Sequence, residues 1–288
     1  MGRTFRLRRG AGYLAAILCS AGAVTCPHSD STPASGVRAA RPPVAARCGV
    51  SVVARTPEVC ASTVGPHPAA LAIDAPAGRV FVLDQGTGRQ HGDVSVLDAA
   101  TGAVLHTTPV GQPPVALAVD ARAHRVVVLS AGATAATSTL GIARITTLDA
   151  HTGRPLRRAS SVGLRGPIAA AGRRGRFFAI RAGATGYRLA MLDATSLTMR
   201  QTSPLPPNID PPLALAVDER HGRVVVVWTA GEYGKLGAVS VFDAATGAVI
   251  AAERDVGPQP GAVVVDGARG ARVRRPSKRY QQLGLRTV

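Results

Sequence analysis

The side chains that could do chemistry in this chain are scattered rather than grouped. It contains no His-Glu-x-x-His sequence and no Cys-x-x-Cys pair, the spacings that place metal ligands side by side. It also lacks the Gly-x-Ser-x-Gly sequence that puts a nucleophilic serine on a sharp turn. The histidines stand singly, at His28, His67, His91, His106, His124, His151 and His221. We therefore expect no catalytic residue set, no metal site and no cofactor.

One glycine-rich stretch, Gly86–Gly92, superficially resembles a phosphate-binding loop. Such loops hold phosphate at the N-terminus of a helix that follows directly. Here the next segment, Asp93–Leu97, alternates polar and apolar residues and predicts a strand. The stretch is therefore predicted to be a hairpin loop.

The elements that must position any functional residue come from an internal repeat. Similar passages begin roughly every 45 residues, a period typical of small units that bury their apolar faces only by stacking on one another. The repeats start at Val64–Gly65, Val110–Gly111, Val162–Gly163, the weaker Leu205–Pro206, and Val256–Gly257.

Each repeat predicts four short antiparallel strands. In the first, Ala69–Asp74 and Arg79–Asp84 flank a turn that contains proline and glycine, which favour tight turns. Asp93–Leu97 and Ala103–Thr107 follow, separated by Asp-Ala-Ala-Thr-Gly at 98–102. The runs are too short, too valine-rich and too often interrupted by glycine and proline for helices. Four such strands make one propeller blade.

The pattern V-G-x-x-P-x-x-L-A-x-D, then G-R-V-x-V, then V-S-V-x-D-A-A-T-G resembles the YVTN-type (YncE-like) β-propeller repeat family over residues 48–268. The resemblance implies an all-β fold, a β-propeller of four-stranded blades. Half repeats at 50–62 and 256–266 can complete one another as a shared blade, which gives about five blades; an incomplete propeller is the alternative. Residues 168–172 predict a poor first strand, and Arg272–Pro276 an implausible second one.

Function is expected where the repeats differ, in the loops between second and third strands and between blades, which share one face of a propeller. We predict a binding surface there, made of His67, Arg89, His91, Gln112, Asn208, Asp210, Glu232, Tyr233, Lys235 and Gln259. The resulting hypothesis is a non-enzymatic binding or protein-interaction scaffold, a monomer with an unidentified protein or small-molecule ligand. The alternative is a propeller enzyme, such as a lactonase or a quinone-cofactor dehydrogenase.

The N-terminus predicts export. Basic residues from Arg3 to Arg9 precede an apolar run, 13–24, and Ala21-Gly22-Ala23 fits a cleavage site, so residues 1–23 are interpreted as a signal peptide. An uncleaved membrane anchor or a lipid anchor at Cys26 remains an alternative. Residues 24–47 are interpreted as a flexible linker. The predicted location is extracytoplasmic: secreted, periplasmic or on the cell surface.

The net charge of +17 lies mostly outside the repeats, because Asp30 and Glu58 are the only acidic residues outside 64–268. Residues 269–288 are interpreted as a basic C-terminal tail. A basic segment can attract nucleic acid, but this one has a single aromatic residue, Tyr280, for base stacking. We therefore favour a solvated tail and do not expect nucleic-acid binding.

Four cysteines are present, and two of them flank the first half repeat. An oxidising compartment would permit a disulfide between Cys48 and Cys60. Hairpin register instead places Cys60 opposite about Val53, so pairing requires the chain at residue 48 to fold back. The two possibilities remain open.

Overall fold

The computed structural model describes residues 3–8, 59–87, 91–111, 113–130, 141–230, 236–257, 260–266, 270–274 and 280–282. In these residues all regular structure is β-strand except one three-residue 3₁₀ turn. The described part contains no helix of the length and apolarity needed to span a membrane.

Two strands precede the first full repeat. Strands β1 (Arg3–Arg8) and β2 (Val59–Val64) pair antiparallel, with Arg3 opposite Val64 and Arg8 opposite Val59. β2 was predicted to be the fourth strand of a half repeat whose third strand is 50–53. Those residues lie outside the described ones, and β1 occupies the neighbouring position. Whether residues 1–23 are removed as a signal peptide stays a prediction, because strand pairing does not test cleavage.

Four sheets of four antiparallel strands follow, and we call them blades 1 to 4. Blade 1 comprises β3 (Pro68–Asp74), β4 (Arg79–Asp84), β5 (Gly92–Asp98) and β6 (Val104–Gly111). Blade 2 comprises β7 (Pro114–Asp120), β8 (Arg125–Ser130), β9 (Ile142–Asp149) and β10 (Pro155–Val162).

Blades 3 and 4 repeat this order. Blade 3 comprises β11 (Leu164–Ala171), the 3₁₀ turn Gly172–Arg174, β12 (Arg176–Gly183), β13 (Gly186–Asp193) and β14 (Met199–Pro204). Blade 4 comprises β15 (Ala214–Asp218), β16 (Arg223–Ala230), β17 (Leu236–Asp243) and β18 (Val249–Asp255). The predicted all-β blade architecture is confirmed.

The C-terminal strands depart from the sequence prediction. β19 (Ala262–Asp266), β20 (Gly270–Arg274) and β21 (Tyr280–Gln282) form a three-stranded sheet. The judgement that Arg272–Pro276 is implausible as a second strand was wrong for 272–274. Val273 pairs opposite Val263 and Ala271 opposite Val265, so the backbone of this segment forms a regular antiparallel strand. The sheet thus continues into the segment interpreted as a basic tail.

The blades are held together by apolar side chains between them. The inner strands β3, β7, β11, β15 and β19 contact one another in order. Four of the five phenylalanines fill the joints: Phe81 between blades 1 and 2, Phe177 between blades 2 and 3, and Phe178 and Phe242 between blades 3 and 4. The middle strands are buried on both faces, which is why they are nearly continuous runs of valine and leucine.

The turn between third and fourth strands is a repeated structural device. In blade 1 the Asp98 Oδ1 accepts hydrogen bonds from the backbone N–H of Ala100 (3.0 Å) and of Thr101 (2.8 Å), and from the Thr101 hydroxyl (3.0 Å). The backbone bond from Thr101 is the main cause that holds the pKa of Asp98 below its usual range. Gly102 closes the turn at φ 72°, where glycine is favoured. These repeated aspartates are therefore turn formers, as interpreted from the sequence.

Candidate functional site

Strand order gives the molecule two distinct faces. We call the turn face the one that carries the first-to-second and third-to-fourth strand turns, for example 75–78 and 99–103. We call the loop face the one that carries the second-to-third strand loops and the connections between blades, for example 184–185 and 205–213. Those predicted binding residues that the structure describes belong to the loop face.

Four of the predicted residues are described. His67 and His91 are exposed at the loop-face end of blade 1. Asn208 is exposed and has φ 58°, and Asp210 is half-buried at the start of blade 4. The structure thus groups the first two on one blade and the last two on another.

The other predicted loop-face residues lie outside the described residues, so their contribution stays a prediction. They are Arg89, Gln112, Glu232, Tyr233, Lys235 and Gln259. Cys48 also lies outside them, whereas the Cys60 backbone stands opposite Leu7 in β1. The Cys48–Cys60 disulfide is therefore untested.

Asp210 has a defined partner. Its Oδ2 accepts a hydrogen bond from the Thr229 hydroxyl at 3.0 Å, and its backbone N–H donates to the Thr229 carbonyl at 2.7 Å. Next to Thr229, the buried Trp228 donates its indole N–H to the Ser240 hydroxyl at 3.0 Å. The Asp210 contacts fix the start of blade 4 to its second strand, and the Trp228 bond joins that strand to the third.

A carboxylate pair that the sequence analysis missed lies beside His67. Asp84 and Asp93 stand directly opposite each other at the loop-face ends of β4 and β5. Asp84 is almost fully buried; its Oδ2 accepts from the His67 backbone N–H at 2.6 Å, and its Oδ1 accepts from Gly86 N–H at 2.7 Å.

Asp93 is in a different electrostatic position. Burial raises the pKa of Asp93, and the neighbouring Asp84 carboxylate raises it further. Its Oδ1 is buried and has no hydrogen-bonding partner among the described groups. Asp93 is thus a carboxyl group whose charge is poorly compensated by the protein.

In each blade, one residue of the second strand and one of the third stand opposite each other at the position equivalent to Asp84 and Asp93, and we call this the ladder position. Its chemistry differs from blade to blade. It is acidic in blade 1, basic in blades 2 and 3, and apolar in blade 4. The opposed pairs are Asp84–Asp93, Ser130–Arg144, Arg181–Arg188 and Trp228–Ala238. Because the four pairs occupy equivalent positions, the loop face has an acidic side at blade 1 and a basic side at blades 2 and 3.

The arginines of the basic side are oriented by hydrogen bonds. Arg181 Nε donates to the Val162 carbonyl at 3.2 Å. Arg188 Nε donates to the Thr202 hydroxyl at 3.0 Å, and its Nη2 donates to the Thr202 carbonyl at 3.2 Å. Since these acceptors are uncharged, the two guanidinium charges are not neutralised by the bonds that hold them.

The opposite, turn face contains a cavity of about 550 Å³. It lies where the first turns of blades 3 and 4 meet β19, and it is lined by Arg173, Val217, Asp218, Glu219, Arg220 and Val265. The loop-face prediction did not anticipate it. Basic residues in successive first turns, 121–124, 172–175 and 219–222, are the sequence signal that could have indicated it.

The carboxylates of this cavity are already engaged. Asp218 Oδ2 lies 2.7 Å from His221 Nδ1 and Oδ1 accepts from the His221 backbone N–H at 3.2 Å. Arg173 Nε lies 3.7 Å from Glu219 Oε2. The cavity is therefore a polar recess with exposed cations rather than an acid–base site. In the described part of the chain, no three His, Cys, Asp or Glu residues are grouped so that they could hold a metal ion.

Comparisons with known proteins define the fold class. No model of a protein family matches the chain, and no curated protein matches its sequence. Among solved structures it is similar to hydrazine synthase of Kuenenia stuttgartiensis, with TM-score 0.56, 14% identity, and coverage of 70% of this chain and 54% of that one. It is also similar to the WD40 domain of Toxoplasma gondii coronin, with TM-score 0.54, 11% identity, and coverage of 75% and 54%.

A third similar structure is the Pan2 WD40 domain of Neurospora crassa, with TM-score 0.51, 12% identity, and coverage of 77% of this chain and 67% of that one. The similarity spans about half the length of the hydrazine synthase and coronin chains. At these identities the likeness concerns the fold alone. The chain is a β-propeller with four complete blades and a fifth, three-stranded sheet in the described residues.

Proposed function

We propose that this protein is an exported, non-enzymatic β-propeller of the YVTN (YncE-like) type that binds a protein or small-molecule ligand at its loop face. The assignment to this type rests on the recurring L-A-x-D, G-R-V-x-V and D-A-A-T-G elements, which occupy corresponding strands and turns of blades 1 and 4. Extracytoplasmic location rests on the basic and apolar N-terminal sequence.

The observation that carries the binding proposal is the division of charge at one ladder position. A residue that serves the blade recurs in every blade, as the turn aspartates do. Asp84 and Asp93 do not recur, and their place is taken by Arg181 and Arg188 in blade 3. A ligand with a cationic group toward blade 1 and an anionic group toward blade 3 would complement both sides.

The test is a thermal-shift screen of the full chain against zwitterionic oligopeptides and amino acids. A compound that binds only the folded protein raises the Tm, because binding adds to the free energy of unfolding. We expect that shift to be lost in Asp93→Asn and in Arg188→Gln, and to persist in Arg122→Gln, a matched charge removal on the turn face. Equal shifts in all three variants would refute a loop-face site.

The acid pair is the specific observation that favours the enzymatic alternative, a lactonase or a quinone-cofactor dehydrogenase. A carboxyl group with a raised pKa beside a second carboxyl group is an arrangement that can serve as a general acid or base. Metal analysis and an absorbance spectrum of the purified protein separate the two functions. A stoichiometric metal or a chromophore would overturn the non-enzymatic proposal, whereas their absence together with a loop-face ligand would support it.

A further inference from the structure

The turn face carries exposed positive charge. Its described arginines at Arg122, Arg154, Arg173, Arg174 and Arg220 are all solvent-exposed. The described carboxylates of the same face are all buried or half-buried: Asp74, Asp98, Asp120, Asp149, Asp193, Asp218, Glu219 and Asp243. A planar partner approaching this face would therefore meet guanidinium groups first.

Exposed aliphatic side chains border the same face. The fourth strand of each blade begins at the turn face, and in three blades its first residues are apolar. These side chains, Val104, Leu105, Leu156, Val249 and Ile250, are between 39 and 52% exposed. In blade 3 the corresponding residues are Met199 and Arg200, and Arg200 binds the turn aspartate Asp193.

Apolar exposure alone does not single out this face. The loop face also exposes Val115, Ile142, Val162, Leu213 and Leu236. That face, however, has an exposed carboxylate, Asp255, and two half-buried ones, Asp93 and Asp210, among its described residues. What distinguishes the turn face is the combination of exposed aliphatic residues with exposed arginines, while its described carboxylates are all buried or half-buried.

We propose that the turn face docks on an anionic lipid surface. Arginines near a negatively charged membrane are attracted to it, while neighbouring aliphatic side chains gain by insertion between the headgroups. Nucleic acid would use the arginines but would leave five aliphatic side chains in water, and the described turn face exposes no Phe, Tyr or Trp for base stacking. A lipid surface is the partner that uses both features.

The direction of β2 agrees with this orientation. The hydrogen bond from the Ser62 hydroxyl to the Gly102 carbonyl matches the bond from Ser203 to Gly247, which joins blades 3 and 4. β2 therefore runs as fourth strands do, from the turn face to the loop face, and its first residue, Val59, lies at the turn-face end. If the N-terminal segment remains a membrane anchor, it connects to the propeller on the docking side.

The test is co-sedimentation of the full chain with vesicles of phosphatidylcholine alone or of phosphatidylcholine containing one third phosphatidylglycerol. The charge variant is Arg122→Gln with Arg174→Gln, and the apolar variant is Val249→Ser with Ile250→Ser. The matched control, Arg165→Gln with Leu236→Ser, removes one charge and one apolar side chain from the loop face. Because the basic N-terminus is present in every variant, differences between variants isolate the two faces.

We expect binding only to the anionic vesicles and a decrease with added salt. The charge variant should bind about 25-fold more weakly, from roughly fivefold per arginine near an anionic surface. The apolar variant should bind at least about fivefold more weakly, since two aliphatic side chains lose their insertion. The loop-face control should bind as the unmodified protein does, and all four proteins should melt at the same temperature.

Three results would overturn the proposal. One is an equal loss in the loop-face control, which would remove the distinction between the faces. Another is unchanged binding by the apolar variant together with displacement by duplex DNA, which would indicate attraction to phosphate polymers. The third is release of the unmodified protein by inorganic phosphate at the vesicle phosphate concentration, which would indicate a free-anion site. Should a variant melt early, the salt dependence of the unmodified protein remains decisive, since salt-independent binding contradicts the proposal.

Discussion

Substituting Gly92 by alanine should disrupt the joint between blades 1 and 2. A Cβ at Gly92 would lie 2.2 Å from Pro114 Cγ, 2.4 Å from Pro114 Cδ and 2.6 Å from the Asp84 carbonyl oxygen. Pro114 begins the first strand of blade 2, so the clash is between blades. Blade 4 has the same arrangement, because a Cβ at Gly237 would lie 2.5 Å from Pro260 Cδ.

The expected magnitude follows from these distances. Carbon atoms prefer separations of roughly 3.5–4.0 Å, so the proline ring would have to retreat by more than about 1 Å. Overpacking of a well-filled interior typically costs about 1–3 kcal/mol. Here one of the three close atoms is a backbone oxygen in a central strand, which cannot move without disturbing the sheet. We therefore expect Gly92→Ala to lower the free energy of unfolding by about 2–3 kcal/mol, the upper part of that range.

The assay is chemical denaturation followed by far-ultraviolet circular dichroism, in a double-mutant cycle with Pro114→Ala. Removing the ring in the Gly92→Ala background should recover part of the loss, and the two substitutions should not be additive. Gly183→Ala is the control, because its Cβ would meet only the Gly186 carbonyl oxygen at 3.4 Å. A loss below about 0.5 kcal/mol, the ordinary range for surface changes, or strict additivity, would refute the steric reasoning.

Three other substitutions test the joints and the acid pair. Ser203→Ala removes the 2.6 Å hydrogen bond to the Gly247 carbonyl and should lower the free energy of unfolding, measured with denaturant, by about 1 kcal/mol. An unchanged free energy of unfolding would mean that water replaces the hydroxyl. Leu197→Gly relieves a residue at φ 60° but removes a buried side chain, so it should destabilise by about 1–3 kcal/mol, and a stabilised variant would mean that strain dominates. Asp93→Asn should raise the free energy of unfolding at neutral pH. The pKa of Asp93 is raised by folding, so its favourable contribution is complete below the unfolded pKa and is lost as pH rises through the folded one. The free energies of unfolding of the unmodified protein and of Asp93→Asn, measured by denaturation at a series of pH values, should therefore converge in acid. A stability gain of Asp93→Asn that persists in acid would contradict this reasoning.

The strands of blades 1, 2 and 4 could be predicted because each repeat contains its own turn chemistry. The first strand of blade 3 could not. Residues 168–172 lack the terminal aspartate and predict a poor strand, yet β11 runs from Leu164 to Ala171 with a bulge between Arg165 and Ile168. It forms because the inner strands β7 and β15 contact it on either side and β12 pairs with it along its length. Tertiary contacts thus supply what local sequence lacks.

The candidate site was predictable only in part. The order of the strands along the chain was enough to predict that the second-to-third strand loops and the connections between blades share one face. Asp84 and Asp93 were missed because each ends or begins a strand, where an aspartate is unremarkable as a turn residue. Only the register shows that they stand opposite each other, and only burial shows that the charge of Asp93 is poorly compensated.

Departures from the repeat fall into two physical kinds, and the distinction bears on function. Thr108 and Ser203 each donate from a fourth strand to the closing glycine of the next blade, at Gly153 and Gly247. Between blades 2 and 3 both partners differ: Ala159 replaces the hydroxyl residue and Leu197 the glycine, and both join one apolar cluster. That change is compensated, so the joint keeps its stability by other means.

In the acid pair of blade 1, Asp93 has no such compensation. A salt bridge to either carboxylate is absent from the described residues, and Asp93 leaves one buried oxygen without a partner. A free energy penalty that the fold itself does not offset is expected where a ligand supplies the missing contact. By this criterion the Asp84–Asp93 position, rather than the equally irregular Ala159–Leu197 joint, is where binding should be sought.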